Sequence, residues 1–290
     1  MKRTLYSWPI FIIAFLITVV ISHSSLALLK VDITEGNIEP LPIAISGFFS
    51  DEGVESELAA QIKTIVERDL KSSGLFRIVD DSLFLEKLEV DKVPQHSLWR
   101  KIGTNTMTSG HLEIKGDNII VKFRLWDPNL EEQIEGAIFS MNKKAYRRAG
   151  HKIADHIYKR ITGEGPYFDS RILFIAETGP TQFREKRLAI MDQDGANYME
   201  LTSGKHLVLT PRFDTKLHRA IYMSYRRTIP QVYILDIHTG KQKLIGDFPG
   251  MSFSPRFSPD SEYAIMSIAN NGTTDIFEIH IDTRQLKKLT

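Results

Sequence analysis

The stretch SPRFSPDS at residues 254–261 has a related copy 44 residues upstream, TPRFDTKL at residues 210–217. At the same offset further segments align, namely 232–234 with 276–278, 220–221 with 264–265, and the apolar positions 201, 245 and 289. A period of about 40 to 45 residues with roughly four short strands per unit is typical of β-propeller blades. The second half of the chain is therefore predicted to be a β-propeller.

The shared core of the repeat consists of two aligned triplets, Pro211, Arg212 and Phe213 in one copy and Pro255, Arg256 and Phe257 in the other. The turn that follows in the second copy contains Pro259, which presets φ, and Asp260, which can cap its own backbone. We interpret this turn as one that closes a blade. Because equivalent positions in repeats usually serve the repeat, the two arginines are expected to make blade-to-blade contacts rather than to bind ligands.

The N-terminus has the pattern of a secretory signal peptide, residues 1–27. Lys2 and Arg3 precede an apolar block of 14 residues, Trp8–Ile21, and small residues follow it. Cleavage is expected between Ala27 and Leu28. An uncleaved membrane anchor is the alternative, but the block is shorter than the roughly 17 to 25 residues that a spanning helix needs. The chain contains no cysteine, so a lipid-modified N-terminal cysteine is excluded.

The composition is that of an ordinary globular protein and narrows the function. The 290 residues include 37 basic and 36 acidic side chains, so no basic excess indicates nucleic-acid binding. Without cysteine, disulfides, thiolate nucleophiles and thiolate metal sites are excluded. We expect no cofactor and no metal, and no integral membrane segment after removal of the signal peptide.

Residues 28–163 alternate between strand and helix patterns, which predicts an α/β domain with a mixed sheet and two main helices. The helices are expected at Val54–Ser72, with Ser50 or Asp51 as N-cap and Gly74 as the stop, and at Tyr146–Ile161. Strands are predicted at 29–33, 42–48 and 76–80, and turn residues separate three further strands between 106 and 142, which favours a meander.

Three motifs in the sequence resemble metal or glycan sites, and each has a structural interpretation. His151 and His156 are five residues apart and therefore do not share a helical face, so we expect them to be exposed surface residues. Asp192–Gly195 resembles the start of a calcium loop but lacks the required later residues, and a hairpin turn is favoured. Asn271-Gly272-Thr273 spells a glycosylation acceptor, yet Asn-Gly is also a type I′ turn signal.

Residues 164–169 are predicted to be a linker, and residues 170–290 to contain repeats at 170–216, 217–261 and 262–290, the last one partial. The 121 residues from Ser170 to Thr290 divided by the period of 44 give about 2.75 units, whereas propellers close with roughly four to eight blades. The propeller is therefore expected to be incomplete. The simplest account is a truncated form whose third unit lacks its PRFSPD segment.

Together these segments resemble the TolB family of periplasmic proteins of the bacterial Tol-Pal system. The most specific stretch is RRAGHKIADHIYKRITGEGPYFDSRILFIAET, residues 147–178, and the strand pattern TSGHLEIKGDNIIVKFRLWD adds to it. The resemblance implies a non-enzymatic connector in the periplasm of a Gram-negative bacterium, with an α/β domain and a six-bladed propeller. It also implies that the segment from Leu28 to about Asn37 binds TolA and that the propeller binds Pal.

Within that N-terminal segment, Leu29, Val31 and Ile33 alternate with Lys30 and Asp32. The alternation is typical of a strand with one buried side. A short segment with free backbone groups suits pairing with a partner's sheet edge or folding back onto its own domain. We assign Leu29–Ile33 as the expected TolA-binding residues.

Two other functions are considered. A propeller-containing peptidase would carry a Gly-x-Ser-x-Gly elbow, and the nearest sequence, Gly250–Ser254, lacks the closing glycine. A ligand-binding propeller would be expected to collect aromatic residues at one end of the ring, a pattern that fewer than three units do not reveal.

Overall fold

The computed structural model describes residues 39–50 and 56–290. The described part of the chain divides into two compact units, the first ending at Pro166 and the second comprising Tyr167–Thr290. Among the described residues, no helix combines the length and the apolar character needed to cross a membrane.

Several sequence predictions fall on residues outside these ranges. They are the signal peptide at residues 1–27, the cleavage site between Ala27 and Leu28, and the strand and partner-binding segment Leu29–Ile33. They stay predictions.

The first unit is an α/β fold built on one five-stranded mixed sheet. Its strands are β1 Leu41–Phe49, β2 Phe76–Ile78, β3 Thr106–Lys115, β4 Asn118–Asp127 and β5 Glu132–Asn142, and its helices are α1 Glu57–Ser72, α2 His96–Lys101 and α3 Tyr146–Thr162. The strand order is β2-β1-β3-β4-β5. β1 pairs in parallel with β2 and β3, while β3, β4 and β5 form an antiparallel meander. This arrangement confirms the predicted mixed sheet, its two main helices and the meander.

α1 and α3 pack against each other through the apolar faces that their sequence periodicity creates. A glycine lies in this contact. The α3 stripe is fully buried, as predicted, and consists of Ala149, Ile153, Ile157 and Ile161. A Cβ added to Gly150 would lie 2.7 Å from Ile65 Cγ2 of α1. The two helices therefore approach each other at a distance that only glycine permits at this position.

The start of α1 differs from the prediction. The helix begins at Glu57 and its N-cap is Ser56, whose side chain accepts a hydrogen bond from the Ala59 backbone N–H at 3.2 Å. The expected caps, Ser50 and Asp51, are therefore wrong. A serine oxygen satisfies an N–H only if it directly precedes the first helical residue, and apolar periodicity alone does not locate that residue. Gly74 has a φ of 73° just beyond the helix, as its predicted role as the stop requires.

His151 is not an exposed surface residue, contrary to the prediction. Its side chain is buried on α3, and Nδ1 lies 2.6 Å from Oδ2 of the buried Asp69 on α1. His156 is partly exposed and packs edge-on against the rings of Phe123 and Phe139. The prediction treated α3 as having one narrow buried stripe, but a helix that contacts both a sheet and another helix buries a wider arc.

The second unit consists of three antiparallel sheets, which the sequence predicts as propeller blades. Sheet 1 contains β6 Arg171–Thr178, β7 Glu185–Asp192 and β8 Met199–Glu200; sheet 2 contains β9 Val208–Phe213, β10 Arg219–Ser224, β11 Gln231–Asp236 and β12 Gln242–Leu244; sheet 3 contains β13 Met251–Phe257, β14 Tyr263–Asn270, β15 Thr273–His280 and β16 Leu286–Lys288. The described residues thus form open blades of an incomplete propeller, as expected.

Sheet 2 buries both faces, one against each neighbouring sheet. Tyr222 and Leu235 join a core with Leu188 and Ile190 of sheet 1. The side chains that point the other way, such as Ile221, belong to a core shared with sheet 3. No sheet of this kind can bury its apolar faces alone, which is why the units occur in series.

The sheets divide the chain differently from the predicted units 170–216, 217–261 and 262–290. Each PRF segment is the first strand of a four-stranded sheet, since β9 pairs with β10 and β13 with β14. The turn at Ser258–Ser261 therefore joins two strands of one sheet, and its interpretation as a blade-closing turn is wrong. The third sheet also contains its own PRFSPD segment, contrary to the prediction, and sheet 1 is the one with three strands. A repeat determines the period, but hydrogen bonding determines where each sheet starts.

The same backbone hydrogen bond recurs in all three sheets at the offset of 44. It joins the backbone N–H of residues 201, 245 and 289 to the carbonyl oxygens of residues 188, 232 and 276, at 2.7, 3.0 and 2.8 Å.

Asn271 and Gly272 have φ values of 50° and 83° between β14 and β15, as a type I′ hairpin requires. Asp192–Gly195 forms a turn closed by the bond from Asp192 N to Ala196 O at 2.8 Å. Both turn predictions are confirmed.

Candidate interaction surfaces

The repeated Pro-Arg-Phe segments coincide with a bulge in the first strand of sheets 2 and 3. Thr210 and Ser254 have φ values of 50° and 53°, and the register of each strand with its partner shifts at these positions. The following Pro211 and Pro255 are buried. Proline has no N–H to donate, and a bulge is one of the few strand positions that needs none. Phe213 and Phe257 then pack against the two inter-sheet cores.

Arg212 and Arg256, between the proline and the phenylalanine, are exposed. The Arg212 guanidinium donates to the carbonyl oxygen of Pro211 at 2.7 Å. The blade-to-blade role assigned to the two arginines stays a prediction.

A different arginine connects sheet 2 to sheet 3. Arg219 Nη2 donates to the carbonyl oxygen of Ser261 at 2.7 Å, and the guanidinium lies 5.5 Å from the centre of the Phe257 ring. The hydroxyls of Thr215 and Ser261 are 2.8 Å apart, and Thr215 N donates to Ser261 Oγ at 3.1 Å. We call Asp214, Thr215, Arg219 and Ser261 the clasp.

Asp214 organises the clasp from a position that is almost fully buried. Its Oδ1 accepts the backbone N–H of His218 at 2.8 Å and of Arg219 at 3.1 Å, and its Oδ2 accepts Arg219 Nε at 3.0 Å. Burial alone would raise the pKa of Asp214, but the hydrogen bonds from the Arg219 backbone, the Arg219 side chain and His218 together lower the pKa below its ordinary value. Asp214 is thus a charged acceptor in the folded state.

The turn at Ser258–Ser261, which ends the repeated stretch SPRFSPDS, has an exposed tip. Pro259 and Asp260 are exposed, and Asp260 Oδ1 accepts the Glu262 backbone N–H at 2.9 Å. The Ser258 hydroxyl, followed by the Glu262 N–H, lowers the pKa of Asp260. Only Ser261, at the end of the turn, is buried and reaches the neighbouring sheet.

An open pocket of about 390 Å³, which we call the polar pocket, lies between sheets 1 and 2. The strand β10 contributes Tyr222 and Ser224, β12 contributes Gln242, and the loop before β9 contributes Lys205 and His206. Tyr222 Oη donates to Gln242 Oε1 at 2.9 Å. Arg226 also lines the cavity and its Nη2 donates to the same oxygen.

A corresponding pocket of about 280 Å³ is lined by sheet 3 and by the loop that precedes it, and its lining differs. At the offset of 44, Ser224 corresponds to Ile268 and Gln242 to Leu286, and both of these apolar side chains line the second cavity. Lys205 corresponds to Pro249, which also lines it. The two pockets therefore occupy equivalent places in the repeat and differ in chemistry at these three positions, while Asn270, Asn271, Thr273 and Asp275 add polar groups to the second pocket.

Models of two protein families match the chain. The TolB amino-terminal domain matches residues 29–134, and the TolB beta propeller domain matches residues 158–290. The chain belongs to the TolB family. The N-terminal match covers the mixed α/β sheet through β4, and the propeller match covers all three described sheets.

Individual TolB proteins resemble most of the chain. The Tol-Pal system protein TolB of Rickettsia rickettsii is 42% identical over 91% of this chain, and that of Rickettsia bellii is 41% identical over 90%. In each case the match covers 60% of the relative, so the chain spans about three fifths of the length of these TolB proteins. The crystal structure of TolB from Acinetobacter baumannii covers 90% of this chain with a TM-score of 0.74 and 27% identity, over 63% of that protein.

These TolB relatives are named as Tol-Pal system proteins and not as enzymes. Membership of the TolB family agrees with the prediction of a non-enzymatic protein. The names also support the assignment of the chain as a component of the Tol-Pal system.

Proposed function

We propose that the chain is a periplasmic connector of the Tol-Pal system that links TolA at the inner membrane to Pal at the outer membrane. In this role it supports outer-membrane integrity and the invagination of the outer membrane during cell division. The observation that carries the proposal is the 42% identity to a Tol-Pal system protein over 91% of the chain. A chain with two compact units also offers separate surfaces for two partners.

The connector requires export, and we propose that residues 1–27 direct it. The mature chain would then begin at Leu28, with the α/β domain at 28–163, a linker at 164–169 and the propeller at 170–290. N-terminal sequencing of the protein from a periplasmic fraction tests this assignment. A chain that starts at Met1 and sediments with the inner membrane would contradict it.

TolA binding is assigned to Leu29–Ile33 because apolar and charged residues alternate there. In the described sheet β1 already has a neighbour on each side, so the edges that could accept another strand are those of β2 and β5. A segment that precedes β1 can therefore pair with a partner without displacing a central strand.

The test is a pull-down with purified TolA and two matched variants of the segment. Replacing Leu29, Val31 and Ile33 with aspartate should abolish TolA capture, because the apolar side of the strand is lost. Replacing Lys30 with glutamine and Asp32 with asparagine should retain capture, since these residues lie on the other side of the strand. Circular dichroism checks that the α/β unit stays folded, and unchanged capture by the first variant would contradict the assignment.

Pal binding is assigned to the propeller unit. Co-purification of the intact chain with Pal, in the absence of TolA, tests it separately from the TolA assignment. Capture of Pal by the triple-aspartate variant at the parental level would support separate sites for the two partners. Failure of the parent chain to capture Pal would remove the outer-membrane half of the connector.

A further inference from the structure

The polar pocket between sheets 1 and 2 contains a buried hydroxyl without a hydrogen-bond partner among the described residues. Ser224 is 1% exposed and is one of the residues that line the pocket, and its Oγ has no hydrogen-bond partner among the described residues. A buried hydroxyl in this state costs on the order of 1 to 3 kcal/mol relative to one that is hydrogen-bonded. Native proteins seldom keep such a group unless it serves another purpose.

The repeat shows that the polar side chains of this pocket are not needed to hold two sheets together. At the equivalent positions between sheets 2 and 3, Tyr222 is replaced by Met266, and Ser224 and Gln242 are replaced by Ile268 and Leu286. Met266 and Ile268 are buried in the inter-sheet core. Apolar side chains at these three positions therefore satisfy the packing requirement of the same architecture, and the polar side chains of Tyr222, Ser224 and Gln242 require another explanation.

The lining groups are mostly hydrogen-bond donors and cations. Burial raises the pKa of Tyr222 to about 12, so its phenol stays protonated and donates to Gln242 Oε1. The same oxygen accepts from Arg226, which leaves the Gln242 amide nitrogen and the other guanidinium N–H groups as donors. Lys205 and His206 add exposed basic groups at the rim.

The acidic residue of the lining is already paired. Glu200 accepts a hydrogen bond from Tyr198 Oη at 3.1 Å and lies 3.4 Å from Arg187 Nε. The charge of Glu200 is therefore compensated by Arg187 and not by the hydrogen-bond donors of the pocket. An anion in the pocket would meet a hydroxyl, an amide N–H and a guanidinium without a facing uncompensated carboxylate.

We propose that the polar pocket is a binding site for a carboxylate, with Ser224, Gln242 and Arg226 as its donors. A planar carboxylate can accept from a guanidinium and from two further donors at once, and a cavity of about 390 Å³ admits a group the size of one or two amino-acid residues. The carboxylate belongs either to the C-terminus of a peptide or to an acidic side chain within one. The site does not depend on the proposed partners of the connector.

The test is a calorimetric titration of the purified chain with four probes. They are N-acetyl-alanyl-alanine with a free carboxylate, the same peptide as its C-terminal amide, N-acetyl-aspartate N-methylamide, and inorganic phosphate. Binding of the first and not the second indicates a chain-terminal carboxylate, and tighter binding of the third indicates an acidic side chain. Binding of phosphate alone, or equal binding of the acid and the amide, would overturn the proposal.

Variants assign the binding to this pocket. Arg226→Gln and Ser224→Ala should each raise the Kd of the bound carboxylate about tenfold, because each removes a hydrogen bond to a charged group. Asn270→Ala, at the position equivalent to Arg226 in the other cavity, should leave the Kd unchanged. Ser224→Ala removes a hydroxyl without a partner, so its thermal midpoint should not fall. Identical Kd values in the parent and both pocket variants would refute the site.

Discussion

Removal of the Asp214 carboxylate should weaken the connection between sheets 2 and 3 more than removal of an exposed carboxylate in the equivalent turn of sheet 3. Asp214 is 2% exposed and accepts three hydrogen bonds from His218 and Arg219. In Asp214→Ala, two backbone N–H groups and the Arg219 Nε lose this acceptor. Breaking a buried ion pair costs roughly 3 to 5 kcal/mol. Because the Arg219 side chain is 29% exposed, water compensates part of the loss, and we expect the lower end, about 3 kcal/mol.

The free energy of unfolding can be measured by urea denaturation followed by far-UV circular dichroism. Hydrogen exchange measured by mass spectrometry should locate the effect, with faster exchange in β10 and β13. Asp214→Asn retains an oxygen for the backbone N–H groups and should cost about half as much as the alanine variant. Asp260→Ala is the control. Asp260 is exposed and lies two residues beyond Ser258, the position equivalent to Asp214 in the next repeat, so its replacement should lower the unfolding free energy much less. An Asp214→Ala variant as stable as the parent would refute the role of the clasp.

The same site predicts a dependence on pH. The folded-state pKa of Asp214 is lowered, so its contribution to stability is fully present above its unfolded value of about 4 and is lost as the pH falls through the lower folded value. The difference in unfolding free energy between the parent and Asp214→Asn should therefore shrink below about pH 4. A difference that stays constant to lower pH would mean that the carboxylate charge does not contribute.

Two further predictions concern the first unit. Gly150→Ala should lower the unfolding free energy by about 1 to 3 kcal/mol, since its Cβ would lie 2.7 Å from Ile65 Cγ2. Thermal denaturation should show that Gly150→Ala costs less stability when Ile65→Ala is also present. An equal cost in both backgrounds would contradict the close contact. Ser56→Ala should cost about 1 kcal/mol through loss of the α1 cap, while Ser56→Asp should retain stability because aspartate also accepts from Ala59 N–H.

Two features of the second unit, the clasp and the polar pocket, were not found from the sequence. The clasp was missed because Arg219 and Ser261 are 42 residues apart and belong to different sheets, so no local pattern relates them. The polar pocket was also missed, although a signal was present. A comparison of the two units at the offset of 44 shows Ser224 against Ile268 and Gln242 against Leu286, and these differences mark where the repeat departs from its packing requirement.

The sequence by itself determined the period of the repeat, the turns and the buried stripe of α3. These features depend on local backbone chemistry: proline lacks an N–H, glycine and asparagine accept positive φ, and side chains three or four residues apart share a helix face. Only the tertiary structure decided where each sheet begins, which side chains connect neighbouring sheets, and that His151 is buried against Asp69. Those outcomes depend on hydrogen bonds and packing between residues far apart in the chain, which a repeating local pattern does not specify.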